Sequence, residues 1–131
     1  MRTVMDADTV VAAMRSPSGA SAAILRAARR DKITLLLTVS LALEYEAACR
    51  RAEHRLAAGL SERQVEVFVD AVVAMSVPVE THFLWRPQLR DANDEMVLEA
   101  AVNGRADILV RFNLRDYGLA PARLGLEALF P

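Results

Sequence analysis

Apolar residues fall in short blocks along this chain, and the spacing within each block indicates a different element. Thr3-Val4-Met5 is a brief apolar stretch that stops at an acid, Asp6. The turn-forming cluster Ser16-Pro17-Ser18-Gly19 comes next. Beyond it Ala20, Ala23, Ile24, Ala27 and Ala28 repeat at helical spacing and end in Arg29-Arg30, a favourable pair at a helix C-terminus. Ile33 to Val39 is a continuous run whose length and lack of alternation predict a strand buried on both faces of a parallel sheet. Ser40 is placed to cap a helix that carries Leu41, Tyr45, Ala48 and Ala52 inward, with Glu44 in its first turns.

Gly59 ends that region. Ser61-Glu62-Arg63-Gln64 reads as a capping box, and Val65, Phe68, Val69, Val72 and Val73 form the inward stripe of the helix behind it, which Pro78 stops. Val79 to Leu89 is irregular. Asp94 to Val102 is helical again, burying Met96, Val97, Ala100 and Ala101, with Asn103-Gly104 as its stop. Ala106 to Val110 reads as a strand, and Leu124 to Leu129 holds space for a last short one. Strands alternating with helices predict an α/β fold, a central and mainly parallel sheet with helices on both faces.

Length and composition narrow this picture. The 131 residues suit one domain spanning 1–131, with 53% apolar and 25% charged residues giving a globular rather than disordered balance. No apolar run is long enough to cross a bilayer, and Met1 to Asp6 lacks the layout of a secretory signal, so the expected location is the cytoplasm, with no membrane partner. Net charge is −1, which excludes a polybasic nucleic-acid coat. Lone Cys49 excludes an internal disulfide and a cysteine zinc site, and its apolar setting makes it core filler.

In open α/β sheets ligands bind beyond the carboxyl ends of the strands, which singles out certain acids. Asp6 follows the first strand and Asp8 comes two positions later. Glu44 lies just past the second strand, Asp91 and Asp94 lead into the late helix, and Asn113 and Asp116 follow the fourth strand. Each has a plainer reading. Asp6 can start a turn, Glu44 can be a first-turn acid favoured by the helix dipole, Asp91 can be an N-cap with Asp94 its capping partner, and Asp116 can open the Asp-Tyr-Gly turn. Taken together they suit a hard divalent cation, because Mg²⁺ and Mn²⁺ prefer oxygen ligands.

Other chemistries find no support. His54 and His82 have no partners at zinc spacing, no glycine-rich loop follows the first strand, and no serine sits in a nucleophile elbow. Trp85 suits a core or dimer-interface anchor better than a base-stacking platform.

Four segments resemble PIN domains. Val4-Met5-Asp6-Ala7-Asp8 is similar to the family's opening strand, Ser40 to Glu46 to the segment carrying its glutamate, Arg90 to Ala101 to its acidic helix start, and Ala106 to Tyr117 to its closing strand and loop. The likeness runs nearly the whole chain and is nearest to bacterial PIN toxins of toxin–antitoxin pairs, relatives of the VapC-like toxins. It implies a three-layer α/β/α sandwich and a Mg²⁺- or Mn²⁺-dependent endoribonuclease acting on RNA. It also implies an antitoxin partner and a homodimer. By position it assigns Asp6, Glu44 and Asp94 as catalytic metal-binding acids, with Asp91 and Asp116 joining the metal site and Asp8, Asn113 and Arg111 in support. Ala7, Asp8 and Arg111 depart from the family pattern. These departures leave open a module of the same fold that binds RNA or protein without cutting. An RNA-maturation nuclease without an antitoxin is the other alternative.

Overall fold

A computed structural model of the chain describes residues 1–81, 92–110 and 127–129. Its elements are β1 (Arg2–Met5), α1 (Ala7–Arg15), α2 (Ala20–Arg29), β2 (Thr34–Leu37), α3 (Val39–Arg50), α4 (Ala52–Ala58), α5 (Glu62–Met75), β3 (Val77–Pro78), α6 (Ala92–Asn103), β4 (Ile108–Val110) and β5 (Glu127–Leu129). The strands form one sheet in the order β3-β2-β1-β4-β5, and every pairing is parallel. The fold is the expected three-layer α/β/α sandwich, with β1 at the centre of the sheet.

Parallel pairing buries both faces of the central strands, so their side chains are apolar without alternation. Val4, Met5, Leu36 and Leu109 are all fully buried. The register Thr3↔Leu35 and Met5↔Val110 brings the carboxyl ends of β2, β1 and β4 level with one another. The opposite edge is tied by Arg2. Its carbonyl accepts the Asp107 N–H at 2.7 Å, its own N–H donates to Asp107 Oδ2 at 2.9 Å, and its Nε donates to the Gly104 carbonyl at 2.8 Å.

The best-marked helix in the sequence is also the best matched. In α5 the capping box is complete: Gln64 N–H donates to Ser61 Oγ at 3.1 Å and Ser61 N–H to Gln64 Oε1 at 2.8 Å. Val65, Val69 and Val72 are buried behind it, while Val73 stays 40% exposed rather than inward. The last long helix, α6, begins two residues earlier than the pattern suggests. It buries Val97, Leu98, Ala100 and Ala101, with Met96 half-buried.

Other boundaries and faces also differ from expectation. The second strand ends at Leu37, and Thr38 rather than Ser40 caps α3, its hydroxyl accepting the Leu41 N–H at 3.2 Å. The cap must be the last extended residue, and Thr38 holds that conformation with φ −89° and ψ 164°. Ala52 is exposed because the backbone leaves the helical region at Arg51 and α4 starts afresh. In α2 the buried face is Ser21, Ala22, Leu25 and Ala28; Ala28 lies inward as expected, while Ile24 and Ala27 are half-buried and Ala20 and Ala23 exposed. Helix α1, directly after Asp6, is an element the spacing did not predict, and it buries Val10, Val11, Ala13 and Met14. Cys49 is fully buried in the core, and burial pushes its thiol up to about 11.

Candidate functional site

Asp6 is the first residue past the central strand, and it begins α1 as its N-cap. It is 4% exposed. A carboxylate buried this deeply needs hydrogen bonds to offset the loss of water. Thr9 supplies two, its N–H at 2.8 Å and its hydroxyl at 2.5 Å, both to Asp6 Oδ1. The Asp6 N–H donates in turn to the Val110 carbonyl at the end of β4, at 3.0 Å. The carboxylate is therefore fixed at the carboxyl edge of the sheet, at the N-terminus of a helix whose dipole favours a negative charge.

Glu44 reaches the same edge by another route. It lies in the second turn of α3, which leaves the carboxyl end of β2, and its side chain is half-buried. The next residue, Tyr45, is buried and its hydroxyl donates to the Met5 carbonyl, the peptide group directly before Asp6. This bond ties α3 to the end of β1 one residue from each acid.

Asp94 stands in the first turn of α6, where the description is of the backbone alone. At a rise of about 1.5 Å per residue, α6 runs back along the sheet to the turn at Gly104–Arg105, which lies at the amino edge beside Arg2. Its first turn consequently lies toward the carboxyl edge. Asp8 is exposed on α1, one helical position beyond Ala7. Asp91, Arg111, Asn113 and Asp116 lie outside the described residues, as do His82 and Trp85.

Among the described residues no three His, Cys, Asp or Glu side chains stand close enough to hold a metal ion. The two expected ligands whose side chains are described, Asp6 and Glu44, are both carboxylates on one edge, and their oxygens fit a hard divalent cation. Sequence patterns alone did not single out Thr9 as a partner of the site. Its signal was a polar residue three positions after an acid and directly before Val10-Val11, the spacing of an N-cap and its N3 partner. Tyr45 was expected inward, but not as the link between the two acids.

The fold is similar to a chain in the "Crystal structure of VapBC2 from Rickettsia felis bound to a DNA fragment from their promoter". The TM-score is 0.67 at 13% sequence identity, covering 100% of this chain and 99% of that one. No curated protein matches this sequence. A family model described as "PIN domain" matches residues 2–115, most of the length, and the chain belongs to the PIN domain family.

Proposed function

We propose that this protein is a metal-dependent endoribonuclease that hydrolyses RNA phosphodiester bonds, and that it is the toxin of a toxin–antitoxin pair. The observation that carries the reading is Asp6, a carboxylate buried and held by two donors at the carboxyl edge of the central strand. A buried acid in this place is costly to keep, and family membership connects it with nuclease chemistry.

In this reading Asp6, Glu44 and Asp94, with Asp91 and Asp116, hold Mg²⁺ or Mn²⁺, with Asp8, Asn113 and Arg111 around them. The ion would polarise the scissile phosphate and lower the pKa of a water. The chain's own part is to set the acids in place. Thr9 orients Asp6, and Tyr45 fixes the position of α3 and so of Glu44. Buried apolar side chains of the sheet keep bulk water from the inner side of Asp6.

The partner reading rests on the similarity to VapBC2 and on one surface of this chain. A groove of about 390 Å³ is lined by Leu25, Phe68, Val72 and Met75, with Arg26 and Arg29 in its wall and no acid among its residues. An amphipathic antitoxin segment carrying carboxylates complements that pattern. No helix among the described residues is long and apolar enough to cross a membrane. One domain, a homodimer and a cytoplasmic location complete the proposal.

The test is incubation of purified protein with structured RNAs and Mn²⁺, beside Asp6→Asn and Asp94→Asn. Cleavage by wild type alone supports the reading. Equal cleavage by both variants, or none by any, overturns it. Growth arrest on expression, relieved by the product of a neighbouring small gene, tests the toxin assignment.

A further inference from the structure

We infer that Thr9 is a positioning residue, whose hydroxyl and peptide N–H together lock the Asp6 carboxylate in the orientation in which it meets a divalent cation. The inference rests on the metal-site reading above.

Capping α1 requires only the Thr9 N–H, which any residue at that position provides except proline. The hydroxyl is additional, and Thr9 is fully buried. A buried hydroxyl has to find an acceptor. Two are in reach, Asp6 Oδ1 at 2.5 Å and the Val110 carbonyl at 3.4 Å. A hydroxyl has one proton. The Val110 carbonyl is 0.9 Å farther than the carboxylate oxygen (3.4 Å against 2.5 Å), so Asp6 Oδ1 receives it.

Two donors then converge on one carboxylate oxygen from different directions. A single donor constrains rotation about the Cβ–Cγ bond of an aspartate only weakly, because that torsion has broad minima. The second donor narrows that freedom, and its own aim is stiff because threonine is β-branched and Thr9 is enclosed. The carboxylate is thereby oriented before any cation arrives, as partners of metal ligands commonly orient them.

Mn²⁺ titration by calorimetry on wild type, Thr9→Val and Thr9→Ser separates the hydroxyl from the packing. Valine keeps the shape and serine keeps the donor. Thr9→Val is expected to bind Mn²⁺ about tenfold or more weakly, with Thr9→Ser close to wild type and all three folded by circular dichroism. Equal affinity in Thr9→Val overturns the inference, and so does an equal loss in Thr9→Ser, which would assign the effect to the missing methyl. Should Thr9→Val not fold, Thr9→Cys replaces it, because a thiol donates weakly; affinity equal to that of Thr9→Ser overturns the inference. A wild type that does not bind Mn²⁺ sinks the metal-site reading itself, a result distinct from failure at Thr9 alone.

Discussion

The hydroxyl of Tyr45 donates to the carbonyl of Met5, so a side chain of α3 is bonded to the peptide that precedes Asp6. The contact spans two elements that meet only in the folded state. It therefore connects the placement of Glu44 to that of Asp6, and its loss should be felt in both stability and site geometry.

Tyr45→Phe removes the donor and leaves a buried carbonyl short of a partner. The expected cost is about 1–2 kcal/mol, read as a fall in the urea midpoint with unchanged slope. If the bond also positions Glu44, RNA cleavage per folded molecule drops too. Cleavage that only follows the folded fraction would leave Tyr45 a purely structural residue.

Asp6 serves as both N-cap and candidate ligand, and two substitutions divide these roles. Asparagine caps as well as aspartate, so Asp6→Asn should keep near-normal stability. Cleavage in Mn²⁺ should nevertheless fall roughly a hundredfold or more, since a metal supplies several kcal/mol of barrier lowering. Asp6→Ala should add a stability loss of about 1 kcal/mol from the missing cap. Thermal melts and initial rates on the same preparations decide this.

Gly104→Ala should destabilise the fold by about 1–3 kcal/mol, a typical overpacking cost. A Cβ there would meet Leu36 Cδ1 at 2.8 Å, the Ala100 carbonyl oxygen at 2.9 Å and Val79 Cγ2 at 3.1 Å. The Leu36 methyl can shift, but the backbone carbonyl has little room. An unchanged melting temperature would contradict this account.

Cys49 should resist thiol reagents at pH 8 unless denaturant is present, because burial holds its thiol at about 11 against an ordinary 9.0. The same shift sets a pH dependence. The folded value is raised, so its contribution is fully present below pH 9, where the thiol is neutral in both states. From there to about pH 11 the unfolded chain ionises first and stability declines, by about 3 kcal/mol at most. Cys49→Ala should flatten that alkaline decline in urea titrations. An equally steep decline in the variant would assign it to other groups.

Much of the fold could be read from the sequence because its signals were local. Ser61 and Gln64 sit three apart and cap each other, and the run from Ile33 to Val39 marks a strand that is present, though it ends at Leu37, so both elements are legible from their neighbours alone. Errors arose where a long-range contact decided the outcome. Where α2 packs against α1 and α5 it buries Leu25 more deeply than Ile24, and Thr38 displaces Ser40 as cap because sheet pairing ends at that point. At the site, strand order located Asp6 and Glu44, but spacing carried no sign that Tyr45 reaches Met5 across the fold. Asp91 and Asp116 were chosen by the same strand-order reasoning and lie outside the described residues.

The strand order has a consequence for synthesis. Asp6 is made well before Val110, yet the carbonyl that accepts its N–H belongs to Val110, and β1 cannot complete its pairing until β4 exists. At ordinary elongation rates the two residues are made about 5–20 s apart. During that interval β1 lacks one of its neighbours, and the carboxyl edge of the sheet is missing a side. A nascent chain on the ribosome, surrounded by RNA, thus carries Asp6 without its setting, and that setting closes only once the segment carrying β4 has emerged.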